Sequence, residues 1–194
     1  MTGPAEESNM AYAAAKNAGY VECLSMHKQY GCNYFTVIPA SLFGPHDNFD
    51  LEQCHVTPGL LLRFHLAKKK NDKTFSVWGT GKPRRELLFS EDAAKGVRLL
   101  LEQWDATKGP VNMGAGDDMS VAEVAETIQR GVGYKGSLTF DTTKPDGIQR
   151  KLLDSSKIQK LGFKAQINFE TGLKKTYDWL LSRTAIRGIK EGFL

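Results

Sequence analysis

The 194 residues include 26 Lys and Arg against 22 Asp and Glu, giving a net charge of +4, with 41% hydrophobic and 25% charged residues. This balance excludes a disordered or fibrous chain, because a chain of this length can bury roughly 70% of the surface that it exposes when unfolded. No apolar run approaches the 20 or so residues of a membrane span, and Met1-Thr2-Gly3-Pro4 lacks the pattern of a signal peptide. We therefore predict a globular cytoplasmic protein with no membrane partner.

Two further features of the composition bear on partners and compartment. The densest basic run, Lys68–Lys70 with Lys73, follows an apolar periodic segment and has no interleaved aromatic residues. It indicates the solvated last turn of a helix rather than a nucleic-acid interface. The three cysteines, Cys23, Cys32 and Cys54, show no paired spacing and predict free thiols in a reducing compartment.

The apolar pattern along the chain alternates between helical spacing and short β-rich runs. Gly31 should close the first helix, and Ser120 with Glu123 forms a capping box at the start of another. Predicted helices cover residues 11–29, 57–69, the segment after Ser90, 120–130, a short stretch ending at Gly162, and 169–182. Predicted strands cover residues 34–38, 75–78, 87–89, 111–113, 138–140 and 151–153.

Strands separated by helices predict an α/β fold with parallel pairing, because parallel strands need crossover connections. The first predicted strand, at residue 34, has no partner before it along the chain. A buried parallel strand has neighbours on both sides, so we expect an amino-terminal segment to be missing.

Tyr12 and Lys16 lie four residues apart on the first predicted helix and therefore share one face. A positive charge beside a phenol lowers its pKa from about 10, which lets tyrosine donate a proton to a carbonyl oxygen during hydride transfer. Taken alone, the spacing is better explained by an amphipathic helix with one buried aromatic residue and one exposed lysine. The wider sequence must decide between these interpretations.

Several short sequence blocks, on this helix and after it, resemble the same enzyme family. Tyr12-Ala13-Ala14-Ala15-Lys16, a strand ending in Ile38-Pro39, and the segment from Ala40 to Phe49 (ASLFGPHDNF) resemble the extended short-chain dehydrogenase/reductases, and within them the GDP-L-fucose synthase family. The resemblance covers roughly residues 2–181. It continues through His55-Val56-Thr57-Pro58, Trp78-Gly79-Thr80-Gly81, Arg85-Glu86, Asn112 to Gly116 (NMGAG), Lys144-Pro145-Asp146-Gly147 and Arg150 to Asp154 (RKLLD).

The resemblance implies an NADP(H)-dependent enzyme that epimerises and then reduces a GDP-keto sugar. It implies that Tyr12 donates the proton of the reduction and that Lys16 orients Tyr12 and binds the nicotinamide ribose. His55 would be the acid/base of the epimerisations at C3 and C5, whereas without the family a structural helix cap is its better-supported role. The implied cofactor-binding residues are Lys16, Pro39, Ser41, Leu42 and His55.

The resemblance also implies that five residues bind the GDP-sugar, and each has a simpler alternative. Arginine suits a diphosphate because its fork is always charged, although Arg63 could be a solvated helix side chain and Trp78 a core aromatic residue. Asp146 could be an ordinary Pro-Asp-Gly turn residue. The implied substrate-binding set is Arg63, Trp78, Arg85, Asp146 and Lys151; no metal site is predicted.

The family pattern further implies a remnant of a Rossmann-like domain at residues 1–45 and 86–113, and a smaller nucleotide-sugar-binding domain at 46–85 and 114–182. Residues 183–194 would form a tail. A homodimer through the helix of Tyr12 is also implied. The glycine-rich cofactor turn and an active-site serine and cysteine of the family have no counterpart here, and Ser41 stands where asparagine is common.

Two motifs invite other functions that we do not favour. Gly114-Ala115-Gly116 lacks the third glycine of a dinucleotide fingerprint, and the carboxylates of Asp117 and Asp118 that follow it would repel a pyrophosphate, so we interpret it as a tight turn. Cys54 beside His55 suggests an acid/base pair, but sequence neighbours on a loop need not face each other, and we expect Cys54 to be incidental.

Overall fold

The computed structural model describes residues 7–105 and 108–183. After a short 3-10 turn at Glu7–Asn9, the described residues form helices and short strands that alternate along the chain. The helices are α1 Met10–Tyr30, α2 Val56–Lys70, α3 Ser90–Gln103, α4 Val121–Val132, α5 Ser156–Gln159 and α6 Phe169–Leu181. The strands are β1 Val37–Pro39, β2 Ser41–Phe43, β3 Thr74–Trp78, β4 Arg84–Arg85, β5 Leu87–Phe89, β6 Val111–Met113, β7 Met119–Ser120, β8 Ser137–Asp141 and β9 Arg150–Lys151.

Local signals in the sequence account for the helix ends. Gly31 adopts the left-handed conformation and its N–H donates to the carbonyl of His27, which closes α1. At the start of α4, Ser120 and Glu123 make both bonds of the predicted capping box. Lys68–Lys70 form the exposed last turn of α2, as predicted. All predicted helices are present; the short helix predicted to end at Gly162 ends three residues earlier, at Gln159.

Most strand pairs are parallel, which confirms the predicted fold class. β1 pairs with β6, β2 with β5, and β3 with β8, and each of these pairs is parallel. β4 lies between β9, which is parallel to it, and β7, which is antiparallel. The helical crossovers between partners place the carboxyl ends of paired strands at a common edge.

Two predicted strands are longer than those observed. The first starts at Val37 rather than residue 34, because its pairing with β6 extends over only three residues. The strand predicted at 151–153 ends at Lys151, because the N–H of Leu153 donates to the carboxylate of Glu86 instead of to a neighbouring strand. The sequence analysis missed β2, β4 and β7, which are two or three residues long and lack a clear alternating pattern.

Two apolar clusters form the core. The larger cluster joins α2, β3, α4, β8 and α6, with Leu61, Phe64 and Ile128 fully buried. The second joins β5, α3, β6 and α5 around Leu100 and Val111. Area removed from water at these side chains is the main source of stability.

Helix α1 lies outside both clusters. Over its 21 residues none is buried, although other described helices each bury at least one side chain. Its exposed apolar residues are Met10, Tyr12, Val21 and Tyr30. Within residues 7–105 and 108–183 no helix has the length and apolar content needed to cross a bilayer. The tail predicted at 183–194 lies outside the described residues except for Arg183.

Candidate functional site

Trp78 stands at the carboxyl end of β3 with 65% of its surface exposed. The ammonium of Lys144, on the loop after β8, lies 5.8 Å from the centre of the indole ring. The alternative that Trp78 is a core aromatic residue is therefore wrong. An exposed indole beside a cation provides a flat apolar face onto which a planar group can stack.

Arg85 and Lys151 are direct partners in the parallel pairing of β4 with β9, so their side chains leave the same face of the sheet. Nη1 of Arg85 donates to the carbonyls of Arg84 at 2.8 Å and Ile148 at 2.7 Å, which fixes the guanidinium against the loop that carries Asp146. No hydrogen bond or ion pair engages the ammonium of Lys151 in the described part of the chain. This face presents two adjacent cations and no compensating acid on the same strand pair.

The opposite face of the same strands is electrically compensated. Arg84 and Arg150 are the neighbouring partners in the register, and the carboxylate of Asp118 accepts from Nε of each, at 2.6 Å and 2.5 Å. Both bonds lower the pKa of Asp118, and the bond from Arg150 has the larger effect. Strand alternation thus separates two structural arginines from two cations that remain available for a ligand.

The ion pairs of Asp118 change the charge expected beside the Gly114-Ala115-Gly116 turn. Asp118 does not present an uncompensated charge near this turn, so the predicted repulsion of a pyrophosphate by Asp118 is wrong. The interpretation as a tight turn agrees with the structure, because Gly116 has a φ of 93° and its N–H donates to Glu86. The N–H of Gly116 is therefore bonded within the protein and is not free to bind a phosphate.

Asp146 joins two loops rather than standing free in a turn. Its carboxylate accepts from the backbone N–H of Thr80 at 2.6 Å and from the Thr80 hydroxyl at 2.8 Å. Both bonds lower the pKa of Asp146, and the bond from the backbone N–H has the larger effect. The loop after β8 is thereby tied to the loop after β3, beside Trp78 and Arg85. Its contact with a ligand stays a prediction.

Arg63 is half-buried and fixed, so the alternative of a solvated side chain is wrong. Its Nη2 donates to the carbonyl of Ser76 at 2.7 Å, and its guanidinium carbon lies 4.8 Å from the centre of the Phe75 ring. Burial lowers its pKa. Ser76 precedes Trp78 by two residues on β3, a span of about 6.6 Å along a strand. Arg63 thus contacts β3 near Trp78, Asp146 ties the loop after β8 to the loop after β3, and Arg85 joins the loop after β8 to Lys151. We call the region of these five residues the β3–β4–β9 face.

His55 occupies the N-cap position of α2 but its side chain makes no capping hydrogen bond. The residue is also exposed. The structure therefore does not support the alternative that His55 is a structural helix cap. Beside it, burial raises the pKa of the Cys54 thiol, and the nearby carboxylates of Asp50 and Asp47 raise it further. A thiol of this kind is a poor nucleophile, in agreement with its predicted incidental role.

The predicted cofactor side is open in the structure. Tyr12 and Lys16 are exposed on α1, with the Lys16 ammonium 5.5 Å from the centre of the Tyr12 ring. The alternative that Tyr12 is a buried aromatic residue of an amphipathic helix is wrong. Pro39 ends β1, Ser41 and Leu42 begin β2 one residue further on, and all three are also exposed. In parallel α/β sheets the carboxyl end of a strand is where ligands bind.

A cavity of about 390 Å³ contains Arg85 but no other predicted site residue. The substrate-side residues instead lie on an open surface, the β3–β4–β9 face. Among the described residues no group of His, Cys, Asp or Glu has the arrangement of a metal site, and the three cysteines are free thiols.

Sequence reasoning missed three residues that organise this surface. Lys144 lies over Trp78, Thr80 binds Asp146, and Asp118 binds two arginines. A signal existed for Thr80, because it stands between Gly79 and Gly81, both of which have positive φ. Asp118 gave no local signal because its partners lie 34 and 32 residues away.

Comparison with known proteins decides the family. A family model described as "NAD dependent epimerase/dehydratase family" matches residues 1–114. The chain belongs to the NAD dependent epimerase/dehydratase family.

Relatives within this family carry the name that the motifs suggested. The chain is 42% identical over 185 residues to the GDP-L-fucose synthase of Sinorhizobium fredii (strain NBRC 101917 / NGR234), and 43% identical over 189 residues to that of Escherichia coli (strain K12). These alignments cover 95% and 93% of this chain but 59% of each relative. The resemblance inferred from the motifs is confirmed, and the chain spans less than two thirds of these relatives.

Solved structures of the family agree with the fold. A GDP-L-fucose synthetase from Naegleria fowleri bound to NADP has a TM-score of 0.87 at 34% identity, covering 93% of this chain and 58% of the other. A GDP-6-OMe-4-keto-L-xylo-heptose reductase from C. jejuni has a TM-score of 0.86 at 32% identity, covering 94% and 63%. At 20% identity, a UDP-glucose 4-epimerase of Thermotoga maritima shares the fold alone, with a TM-score of 0.77.

Proposed function

We propose that the protein to which these residues belong is a GDP-L-fucose synthase. It converts GDP-4-keto-6-deoxy-D-mannose to GDP-L-fucose by 3,5-epimerisation and NADPH-dependent 4-reduction. The observation that carries this proposal is the β3–β4–β9 face, where an exposed indole stands beside two adjacent cations. An aromatic surface suits a base or sugar ring, and paired cations suit a diphosphate.

In this proposal His55 exchanges protons at C3 and C5 of the keto sugar. Imidazole as a side-chain type is suited to proton exchange in the physiological range, and that of His55 makes no capping bond, so it is available to substrate. Tyr12 then gives its phenolic proton to the oxygen at C4, and the ammonium of Lys16 stabilises the resulting phenolate. NADPH, when bound, supplies the hydride.

The residues at the proposed cofactor side suit that group. Pro39 at the end of β1 and Ser41 and Leu42 at the start of β2 are exposed, and no described acid neutralises Lys16. Lys16 would hold the nicotinamide ribose through its free ammonium, and His55 would lie at the border between cofactor and sugar. Ser41 retains a hydroxyl donor where the family often has an amide.

We further propose that the two apolar clusters correspond to the two domains expected from the sequence, residues 1–45 with 86–113, and 46–85 with 114–182. Ile158 and Phe163 fall in the residue range of the second domain but pack in the cluster around Leu100 and Val111, so the segment from α5 to Phe163 links the two domains. The uncovered apolar side chains of α1 support a homodimer through this helix or a missing amino-terminal segment. Free thiols support a cytoplasmic location.

A second candidate is that the 194-residue chain binds a GDP-sugar without turning it over, or belongs to another GDP-sugar reductase. Two observations favour it. Tyr12 and Lys16 lie on a helix with no buried residue, so nothing in the described chain holds them against the substrate face. The likeness to the C. jejuni heptose reductase also favours a wider range of GDP-sugars.

Calorimetry of the chain with GDP, and with ADP as a control nucleotide, tests the binding step. We expect Arg85→Ala to weaken GDP binding roughly tenfold to a hundredfold, the loss of a hydrogen bond to a charged group. Arg98→Ala is the matched control, because Arg98 is an exposed arginine of α3 paired with Glu102. Equal heats for GDP and ADP, or equal losses in both variants, would contradict the proposed binding.

Turnover is tested on this chain fused to the part of the E. coli relative that it does not match. We expect the fusion to oxidise NADPH in the presence of the keto sugar, and Tyr12→Phe to lower the rate about 10² to 10⁴-fold. Tyr30→Phe is the control, since Tyr30 is an exposed tyrosine at the far end of the same helix. Full activity in Tyr12→Phe would remove its assigned role.

A further inference from the structure

Glu86 is buried, with 2% of its surface exposed, at the junction between β4 and β5. Its carboxylate accepts two backbone N–H groups, from Gly116 at Oε1 and from Leu153 at Oε2, each at 2.9 Å. Its own N–H donates to the carbonyl of Lys151 and its carbonyl accepts from the N–H of Ser41. One buried residue therefore joins three separate segments of the chain to β4.

Two of these bonds hold the backbone at and just after Lys151. The backbone of Glu86 binds the carbonyl of Lys151 and its side chain binds the N–H two residues later. Because β4 and β9 are only two residues long, their pairing supplies few ladder bonds of its own. The register that sets Arg85 opposite Lys151 depends on the bonds that Glu86 makes.

Gly114 shows that the surroundings are shaped for this carboxylate. A Cβ on Gly114 would overlap the carboxylate of Glu86, so only glycine leaves room for it. The contacts also extend to the proposed cofactor side through Ser41, the first residue of β2. A polar group buried this completely is costly unless it is bonded, which makes its geometry strongly determined.

We infer that Glu86 is a positioning residue that holds Arg85 and Lys151 as a matched pair for the two phosphates of a nucleoside diphosphate. This inference rests on the proposed binding of a GDP-sugar. Glu86 does not touch the ligand itself. It acts through the backbone of Lys151 and through the strand that it shares with Arg85.

The test compares Glu86→Gln with Asp92→Asn. A glutamine amide retains one acceptor oxygen but turns an NH₂ group toward the second backbone N–H, so one of the two bonds is lost. Asp92 is a matched control because it is a buried carboxylate, 1% exposed, that accepts the N–H groups of Gln166 and Ile167 at 2.7 Å. In Asp92→Asn the amide oxygen can keep both backbone bonds, because one oxygen of Asp92 accepts both, and the contact with Lys95 is lost instead. Only Glu86→Gln loses a backbone bond, and it does so beside Lys151.

We expect Glu86→Gln to raise the dissociation constant for GDP about tenfold and that for GMP less than threefold, because only the diphosphate needs both cations. Asp92→Asn should leave the ratio of the two constants unchanged even where its melting temperature falls equally. Hydrogen exchange should accelerate at Gly116 or at Leu153 in Glu86→Gln, because the amide oxygen can accept from only one of them, and should stay unchanged at Gln166 and Ile167 in Asp92→Asn.

Each outcome has a definite meaning. An unchanged GDP-to-GMP ratio in Glu86→Gln, or an equal change in Asp92→Asn, overturns the positioning role. Unaltered exchange at Gly116 and Leu153 also overturns it, whatever the wild-type chain binds. A wild-type chain that gives no heat with GDP refutes the proposed function, and with it the ligand assigned to the pair, independently of the exchange result.

Discussion

Acid should destabilise this chain through His65, a buried histidine of α2. Its Nδ1 lies 3.0 Å from the hydroxyl of Tyr177, and its Nε2 is buried with no hydrogen-bond partner among the described residues. Burial lowers the pKa of His65, and the nearby ammonium groups of Lys69 and Lys68 lower it further. The neutral ring is therefore the form that the folded protein accommodates.

The sign and size of the effect follow from linkage. The unfolded chain binds a proton at His65 near pH 6.5, whereas the folded chain binds it only at lower pH. The contribution of His65 is thus complete above about pH 6.5 and is lost as the pH falls toward the folded pKa. One proton of difference changes the free energy of unfolding by at most about 1.4 kcal/mol per pH unit.

Urea unfolding at about pH 7.5, 6.5 and 5.5, compared between the wild type and His65→Asn, isolates this residue. Asparagine offers a polar group near Tyr177 but does not titrate, so the stability advantage of the wild type should shrink with each step toward acid. His46→Asn is the control, because His46 is exposed and its φ of 69° suits asparagine. Parallel pH dependences for the wild type and His65→Asn would refute the reasoning.

Three other substitutions give sharp expectations. Ser120→Ala removes the capping bond to the N–H of Glu123 and should cost about 1 kcal/mol in urea unfolding; no measurable loss would contradict the capping box. Trp78→Ala should leave the melting temperature nearly unchanged, because the side chain is 65% exposed, while weakening GDP binding in calorimetry roughly tenfold; equal GDP affinity would exclude stacking. Gly114→Ala should displace the Glu86 carboxylate and reproduce the lowered GDP-to-GMP discrimination of Glu86→Gln; wild-type discrimination would argue against the positioning role.

The candidate site was predictable in its residue types but not in its connections. The motifs selected Trp78, which is exposed, and Arg85, which is half-buried and paired in register with Lys151. They gave no indication that Arg63 would be fixed against Ser76, or that Asp146 would bind Thr80, 66 residues earlier. Such contacts depend on which strands become neighbours, and that information is not present in any local window of sequence.

The sequence by itself determined the helices, their ends and the class of fold. Gly31 and the Ser120–Glu123 box act over at most four residues, so their geometry follows from the local chain. Only the tertiary structure decided where the short strands form. It also decided that Asp118 pairs with Arg84 and Arg150, while Arg85 and Lys151 have no ion pair among the described residues. Two-residue strands such as β4 carry no periodic signal of their own, and their existence depends on distant partners such as Asp118 and Lys151.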